Sequence, residues 1–298
     1  MGNILEFSAR LLFWCIRILP VRLAGAIGAG AGRVVFLILS RHRNNTIKNL
    51  ARIYPQKDES WHIKTGRESF AELGRTMFEL PHVYLRSKSF LLSRIETHGE
   101  DDFKAVMQQG NGAFIAACHH SNWELGALSF SLLGYASSMI YRPIKQPGLD
   151  HFLKECRERF GAQAHSRQKG LRWLPKSLKQ GESIALMIDQ HMSQGIQVPF
   201  LGQLANTTEL PAPFVIRNGT SIFGAALMRM GHSFRFQLRI WPIPCSGMTG
   251  DKEKDILRIM TLINESFEEI IHERPELWLW VHRRWLILDE QEMADGTS

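Results

Sequence analysis

A histidine and a glutamate stand five residues apart in the segment AACHHSNWELG, residues 116–126. His119 follows an apolar run typical of a buried strand, and Glu124 falls in the first turn of a predicted helix, which Ser121 or Asn122 can cap. A carboxylate bonded to one imidazole nitrogen fixes the tautomer and makes the other nitrogen a better base. The spacing therefore predicts general-base catalysis on an attacking hydroxyl, with His119 as the base and Glu124 as its orienting partner.

Other residues of this segment offer competing interpretations. A histidine and a glutamate at this spacing are common, so the pair could simply tie down a loop. His120 is a second candidate base, although it stands four residues from Glu124. Cys118 suggests a thiol nucleophile, but neighbours at a strand end point to opposite faces, which disfavours its acting together with His119. The many polar side chains gathered at one strand end favour a functional site.

The segments around this site alternate between strand and helix. Apolar or alternating runs predict strands at 113–118, 137–141, 183–188, 220–228 and 234–241, and helical spacing predicts helices at 60–80, 122–133, 149–160, 171–179 and 251–273. This order predicts an α/β fold with a central, mostly parallel sheet flanked by helices. In open sheets of this kind ligands bind at the carboxyl ends of the strands, which is where His119 lies.

The N-terminal region is both basic and apolar. Residues 1–55 carry eight Lys and Arg against one Glu, which accounts for the whole net charge of +7. Two apolar helices are predicted at 4–19 and 23–40, separated by Pro20. The charge-free run 23–32 is shorter than the roughly 20 residues of a membrane span. We therefore expect residues 1–45 to be a membrane-associated helical hairpin, closely packed through its small residues, and residues 46–298 to be a catalytic domain.

Composition excludes several classes of protein. Hydrophobic residues make up 44% and charged residues 22%, which excludes a wholly disordered chain and a polytopic membrane protein. The four cysteines form no CxxC pair, which argues against a disulfide framework or a cysteine-based zinc site and fits a reducing compartment. Residues 56–298 carry no net charge, which argues against a nucleic-acid partner. The absence of GxSxG argues against a serine hydrolase of the α/β type.

Five sequence blocks, taken in order, resemble those of one enzyme family. HHSNWELG is followed by IYRP at 140–143, MIDQ at 187–190, VPFLGQLANTTELPA at 198–212 and PELWLWVHRRW at 275–285. The first block resembles the HX4(D/E) motif of the glycerolipid acyltransferase superfamily. The whole set is similar to the bacterial lipid A biosynthesis acyltransferases of the lauroyl/myristoyl type, and with the N-terminal segment it covers nearly the whole chain.

The resemblance implies an acyltransferase with a glycerolipid acyltransferase-like fold that needs neither a cofactor nor a metal. It implies that His119 is the general base and Glu124 its partner. The residues it implies for substrate binding are Arg142 in YRP, Arg157 in the following helix, with Arg159 close to it in register, and Asp189 in the DQ block. His282, Arg283 and Arg284 of the last block could bind phosphate or pair with acidic residues.

The implied reaction is direct transfer of a fatty acyl chain from acyl-acyl carrier protein to a hydroxyl of a lipid A precursor, an acylated and phosphorylated glucosamine disaccharide. The implied location is the cytoplasmic face of the cell inner membrane. An acyltransferase acting on a lysophospholipid or another membrane glycolipid is the alternative. A non-catalytic membrane-surface protein is an alternative of a different class, and it predicts that His119 can be replaced without loss of function.

Overall fold

The computed structural model describes residues 2–289, so Met1 and residues 290–298, the end of the predicted catalytic domain, lie outside the described residues. A seven-stranded sheet with the order β1-β9-β8-β2-β5-β3-β4 forms its centre, and β6 and β7 form a separate antiparallel pair. The strands are β1 (Ile95–His98), β2 (Ala113–Ala117), β3 (Ser137–Tyr141), β4 (Gln163–Ser166), β5 (Ser183–Met187), β6 (Ile196–Phe200), β7 (Gln203–Thr207), β8 (Ser221–Arg229) and β9 (Phe236–Pro242).

The five strands from β8 to β4 run parallel, whereas β9 runs antiparallel to β8 and carries β1 parallel to itself. Helices surround the sheet, so the predicted α/β fold with a mostly parallel sheet is confirmed. The helices are α1 (Gly2–Ile18), α2 (Val21–Ile38), α3 (Ser40–Ile53), α4 (Glu59–Leu85), α5 (Lys88–Leu92), α6 (Asp101–Gln108), α7 (Trp123–Leu132), α8 (Pro147–Glu158), α9 (Leu174–Lys179), α10 (Ala212–Asn218), α11 (Lys252–Glu265) and α12 (Glu268–Glu273).

The sequence analysis did not predict four of the strands, namely β1, β4, β6 and β7. β1 and β4 are four residues long and form the two edges of the sheet, where two residues of β1 and one of β4 are exposed and the apolar signal is weak. β6 and β7 form a hairpin whose turn holds Leu201 and Gly202 at positive φ. The helix predicted over 251–273 is in fact two helices, α11 and α12, which separate at residues 266–267.

The N-terminal helices pack differently from the predicted hairpin. A β-carbon at Gly28 would lie 2.3 Å from the Gly74 carbonyl oxygen, and one at Gly32 would lie 2.0 Å from the Phe70 carbonyl oxygen. The small residues of α2 therefore bring it against α4 rather than α1, and α1 packs on α8 and α4. By length and composition alone α2 could cross a membrane, although 33% of that stretch is buried within the protein. The expected boundary at residue 45 falls inside α3.

The sheet separates two hydrophobic cores. Along β2, Phe114 and Ala116 face a core that includes α11, whereas Ala113 and Ile115 face a core that includes α7 and α8. Successive side chains of a strand point to opposite faces, so one buried strand supports both cores. This arrangement fixes the carboxyl end of β2, where the loop that carries His119 begins.

Candidate active site

The loop between β2 and α7 is anchored at both ends. His119 and Ser121 pair with the backbone of the C-terminal segment, where the Leu277 carbonyl accepts from the Ser121 N–H at 2.7 Å. Asn122 caps α7, because its side-chain oxygen accepts from the Leu125 N–H at 3.2 Å. Ser121 has a φ of 52°, a conformation that L residues adopt only when their surroundings enforce it.

A buried network of charged residues supplies that enforcement. Arg229, fully buried on β8, forms ion pairs with Glu72 and Glu79 of α4. The two carboxylates in turn accept hydrogen bonds from the loop, Glu72 from the Ser121 hydroxyl at 3.3 Å and Glu79 from the Asn122 amide at 3.2 Å. Because breaking one member of a buried network leaves uncompensated charge, the loop is held rigidly to α4.

His119 is oriented by Asp189, which follows the adjacent parallel strand β5. The Nδ1 atom of His119 lies 2.8 Å from Asp189 Oδ1, and its backbone N–H donates to Oδ2 at 2.7 Å. The Trp278 indole N–H also donates to Oδ2, at 2.8 Å. Burial raises the pKa of Asp189, but the charge and hydrogen bonds of His119 outweigh it and lower that pKa to about 2. Asp189 is therefore ionised at neutral pH and accepts a hydrogen bond from the protonated Nδ1.

This contact leaves the second imidazole nitrogen of His119 facing a cavity. With Nδ1 protonated, Nε2 carries the lone pair, and the Gln190 side-chain amide nitrogen lies 3.2 Å from it. The His119 side chain is 14% exposed, whereas that of Asp189 is 1% exposed. A hydroxyl that replaces the Gln190 amide beside Nε2 would meet a base whose tautomer is already set.

Glu124 does not bind the His119 imidazole, so the prediction that Glu124 orients His119 through a hydrogen bond is wrong in this structure. Its carboxylate accepts from Arg157 Nη2 at 2.6 Å and Nε at 3.0 Å, and from the Tyr84 hydroxyl at 2.5 Å. The Arg157 guanidinium and the Tyr84 hydroxyl occupy the hydrogen-bonding positions of the Glu124 carboxylate. Asp189, which follows the neighbouring strand β5, lies closer to His119 Nδ1. Glu124 and His119 nevertheless line the same cavity.

The pKa values of this ion pair follow from its surroundings. Burial raises the pKa of Glu124, but the charge and hydrogen bonds of Arg157 outweigh burial, and the Tyr84 hydrogen bond adds to their effect, so the pKa falls below its usual value. Burial lowers the pKa of Arg157, but the Glu124 carboxylate reverses this and raises it. Both residues are thus charged at neutral pH, and the pair is held in a largely buried position.

The cavity beside His119 encloses about 800 Å³ and runs between α7 and the sheet. The residues at its mouth are mostly polar, and Arg142 is exposed there without an ion pair to any residue between 2 and 289. Its inner wall is apolar and includes several small residues, namely Ala117, Gly126, Ala127, Ala185 and Ala225 together with Ile115, Phe130, Met139, Leu227 and Leu238. An apolar cavity of this volume with a few polar groups at its mouth is typical of a ligand site.

The predicted site residues therefore divide into two groups. His119, Glu124, Arg142 and Arg157 line the cavity, and Arg157 also lies over the Tyr141 ring at 5.4 Å. Asp189 does not line it but lies buried behind His119. Arg159, the neighbouring candidate in register, instead binds backbone carbonyls at the end of α4.

The alternative candidates beside His119 have no catalytic geometry. The Cys118 side chain is buried, and burial raises the pKa of its thiol well above the usual value. His120 is fully buried, and burial lowers its pKa to about 4. A neutral thiol and an enclosed imidazole are poorly suited to nucleophilic or base catalysis.

Among the basic residues of the last block, Arg283 is exposed and its binding of phosphate stays a prediction, whereas Arg284 has structural contacts. Arg284 is fully buried and donates to the carbonyls of Gln190 and Asn206 and to the Thr207 hydroxyl. It holds the loop after β5 against β7, which positions Gln190 beside His119. His282 lines the cavity, and burial lowers its pKa to about 4, so it is neutral at physiological pH.

Three contacts of the site were absent from the sequence prediction. Tyr84 lies in α4, far along the chain from Glu124, and no local spacing indicates its role. Gln190 lies in the DQ block and Trp278 in the C-terminal block. The sequence blocks therefore included both residues, but no specific role was predicted for either. Only the packing of α4 and the C-terminal segment around the loop brings them to the site.

Comparisons with known proteins identify the family of this chain. The family model described as bacterial lipid A biosynthesis acyltransferase matches residues 4–287. The lipid A biosynthesis lauroyltransferase of Escherichia coli (strain K12) is 24% identical over 96% of both chains. The lipid A biosynthesis palmitoleoyltransferase of the same organism is 23% identical over 92% of this chain and 88% of its own.

A relative with a different printed name is similar to the same degree. The phosphatidylinositol mannoside acyltransferase of Mycobacterium tuberculosis (strain ATCC 25618 / H37Rv) is 23% identical over 84% of this chain and 80% of its own. All three relatives are named as acyltransferases, and the family model spans the five sequence blocks as well as α1 and α2. The chain is therefore an acyltransferase that belongs to the bacterial lipid A biosynthesis acyltransferase family.

Proposed function

We propose that the protein transfers a fatty acyl chain from acyl-acyl carrier protein to a hydroxyl of a lipid A precursor, with His119 as the general base. The observation that carries this proposal is the position of the His119 imidazole. Its Nδ1 atom is fixed on Asp189, and its Nε2 atom faces a large cavity with an apolar interior. A base at the mouth of an apolar cavity suits a reaction that joins a sugar hydroxyl to a long acyl chain.

The reaction needs no protein nucleophile. Nε2 of His119 removes the hydroxyl proton while the hydroxyl oxygen bonds to the thioester carbonyl carbon. The tetrahedral intermediate then collapses, the carbon–sulfur bond breaks, and the departing thiolate takes the proton from Nε2. Asp189 stabilises the imidazolium formed between these steps. Arg142, an exposed cation at the cavity mouth, can stabilise the oxyanion.

Glu124 and Arg157 form one unit in this mechanism. Their ion pair, with the Tyr84 hydroxyl, joins the first turn of α7 to the end of α8 on one side of the cavity. In our proposal Glu124 positions Arg157 and the start of α7 and does not itself orient the imidazole. A charged pair at the cavity wall also adds a fixed dipole beside the site of proton transfer.

The apolar part of the cavity suits the acyl chain. Small residues on the sheet and on α7, including Gly126 and Ala185, line part of its wall. These side chains leave the space that a hydrocarbon chain would fill, and its burial contributes about 0.8 kcal/mol per methylene. The chain would lie with its thioester at the mouth, near His119.

The N-terminal helices suit an acceptor that resides in a membrane. We propose that residues 1–45 attach the protein to the cytoplasmic face of the inner membrane and that residues 46–298 catalyse the reaction. The exposed apolar side chains of this region are Leu5, Phe7, Leu11, Leu12, Trp14, Ile18, Leu23, Ile27, Val34, Val35, Leu37, Ile38 and Leu39. Exposed apolar side chains in this number next to basic residues are typical of membrane attachment. Four free cysteines fit the reducing cytoplasmic compartment, where carrier-bound acyl chains would be delivered.

The alternative acceptor is another membrane glycolipid or a lysophospholipid. The relative named phosphatidylinositol mannoside acyltransferase favours the glycolipid alternative, because its name describes acylation of a lipid-linked sugar. The catalytic residues cannot distinguish these acceptors, since they act on the hydroxyl common to all of them.

The test is a reconstituted reaction with purified full-length protein and acyl-acyl carrier protein. The acceptors are a phosphorylated, acylated glucosamine disaccharide and, in a parallel reaction, lysophosphatidic acid. Mass spectrometry of the products should show one added acyl chain on the disaccharide and none with His119→Ala. Acylation of lysophosphatidic acid alone would reject the lipid A precursor, and full turnover by His119→Ala would reject the mechanism.

A further inference from the structure

Three arginines converge where the ends of α1, α4 and α8 meet. Arg17 lies in the last turn of α1, while Arg86 and Arg159 directly follow α4 and α8. The Arg159 guanidinium donates to the carbonyl oxygens of Tyr84 at 2.5 Å and Arg86 at 2.8 Å, which ties the ends of α8 and α4 together. We call Arg17, Arg86 and Arg159 the arginine cluster.

The arginine cluster has no acidic partner in the part of the chain that the structure describes. None of its members forms an ion pair with any residue from 2 to 289. The nearby carboxylates of α8 are already engaged, Glu155 with Arg10 and Glu158 with Lys154. The cluster is therefore a concentration of positive charge that the described protein does not neutralise.

The surroundings of the cluster add no negative charge. His82 is fully buried, and its Nδ1 accepts a hydrogen bond from Arg86 Nε at 3.4 Å. Burial lowers the pKa of His82 to about 4, and the charges of Arg86 and Arg17 act in the same direction. Burial also lowers the pKa of Arg17, and the charges of Arg86 and Arg159 lower it further. Burial and the like charges of the neighbouring arginines thus lower the pKa values of both His82 and Arg17.

One donor of the cluster is left without a partner in the described protein. Within the described residues, the Nε atom of Arg17 is buried and has no hydrogen-bond partner. An unsatisfied buried donor on a charged group costs free energy that a bound acceptor would recover. Guanidinium groups match phosphate oxygens in shape and charge, and they bind them through paired N–H donors.

The position of the cluster indicates where such a phosphate would come from. Arg17 adjoins Ile18, which is 61% exposed, and lies one turn after Trp14, which is 60% exposed. These two side chains belong to the apolar surface of α1 and α2 that we propose to face the membrane. Arg17 thus lies beside exposed side chains of that surface, an arrangement typical of the lipid headgroup region, where tryptophan and arginine are commonly found together.

We propose that the arginine cluster binds the phosphate group of a membrane lipid headgroup. The site lies on the far side of Tyr84 from Glu124, so it is separate from the cavity beside His119. The assignment rests on the proposed membrane attachment but not on the acyl-transfer chemistry, and it can be tested without measuring turnover. It gives the protein a specific contact with phosphate at the membrane surface in addition to apolar attachment.

The first experiment measures thermal unfolding of the full-length protein in detergent. Inorganic phosphate should raise the midpoint of the wild type relative to chloride at equal ionic strength, because it binds the folded cluster. Arg17→Gln/Arg86→Gln/Arg159→Gln should abolish that phosphate-specific shift. Arg10→Gln is the matched control, since Arg10 lies on the same helix but is already neutralised by Glu6 and Glu155. A wild type that responds equally to phosphate and chloride would overturn the proposal.

The second experiment is flotation with phosphatidylcholine vesicles, with and without phosphatidic acid. Phosphatidic acid should increase vesicle binding of the wild type and of Arg10→Gln. In the triple variant that increase should be about tenfold smaller, which is roughly the effect of losing one charge-assisted contact. An unchanged increase in the triple variant would refute the site. If the triple variant does not fold, the single variant Arg17→Gln replaces it in both experiments.

A third measurement identifies the source of the phosphate. If the phosphate belongs to the acceptor, the triple variant should raise the acceptor KM in phospholipid-free detergent while kcat stays unchanged. If it belongs to a bulk phospholipid, that KM should match the wild type and only vesicle binding should fall. Loss of binding to acyl carrier protein with vesicle binding intact would instead assign the cluster to the acidic carrier protein and overturn the proposal.

Discussion

Asp189 binds His119 twice, through the imidazole Nδ1 and through the backbone N–H, at 2.8 and 2.7 Å. The two contacts fix both the tautomer of the ring and the position of the loop that carries it. In our proposal, Asp189 rather than Glu124 is therefore the carboxylate that orients His119 as the general base. The roles of Asp189 and Glu124 can therefore be distinguished by experiment.

Replacing Asp189 by Asn should lower kcat about 10² to 10⁴-fold, the range expected when a general base loses its oriented tautomer. The acceptor KM should change little, because Asp189 is buried behind His119 and does not line the cavity. Steady-state kinetics with both substrates varied would check this. His119→Ala serves as the reference variant, and a D189N enzyme with wild-type kcat would contradict the assignment.

Asp189 should also make stability depend on acidic pH. Its pKa is about 2 in the folded protein against an ordinary value of 3.8, so the folded state favours the ionised form. The resulting stabilisation is fully present above about pH 4 and is lost as the pH falls towards 2, a change of about 2 kcal/mol. Denaturant unfolding between these pH values should show a steeper loss for the wild type than for Asp189→Asn. Parallel pH profiles for the two proteins would argue against the shift.

Removing one partner of the Glu124–Arg157 ion pair should destabilise the fold. The side chains are 13% and 17% exposed, so Glu124→Gln leaves a largely buried guanidinium without its counter-charge, at a cost of about 3 to 5 kcal/mol. Glu124→Gln/Arg157→Met should recover part of that loss, because the second change removes the unpaired charge. Denaturant unfolding of both single variants and the double variant measures the coupling. Additive losses would show that the two residues stabilise the protein independently.

Tyr84→Phe should affect the same unit more mildly. The change removes the hydroxyl that donates to Glu124 at 2.5 Å but keeps the ring, which stacks on Phe13 of α1. We expect a loss of about 1.5 to 3 kcal/mol, the usual contribution of a hydrogen bond to a charged group. Equilibrium unfolding checks the magnitude, and a loss as large as that of Glu124→Gln would mean that the ring packing had been disturbed as well.

Enlarging a small residue of the apolar cavity wall should shorten the preferred acyl chain. Ala185→Leu adds three carbons to a side chain that lines the cavity, so long chains should lose more kcat/KM than short ones. Competition between acyl-acyl carrier proteins of different chain lengths, read by mass spectrometry, measures the preference. Ile184→Leu on the opposite face of β5 is the control. An equal loss for all lengths would place the acyl chain elsewhere.

The sequence predicted the parts of this protein that depend on local order. Alternating apolar runs and helical spacing indicated an α/β fold with a mostly parallel sheet, because the periodicity of buried side chains reflects the element that carries them. The loop after β2 was located for the same reason, and Asn122 was correctly named as a possible cap of α7. The family resemblance, carried by blocks of adjacent residues, is confirmed over residues 4–287.

Only the tertiary structure decided which residues touch one another. His119 and Glu124 are close in sequence, yet Asp189 binds the imidazole because β2 and β5 are adjacent parallel strands whose carboxyl ends meet. Likewise, Gly25, Gly28 and Gly32 of α2 pack on α4 and not on α1. Such contacts depend on how segments that are distant in the sequence pack together in the fold. The spacing of residues along the chain does not show which of several possible partners a side chain will contact.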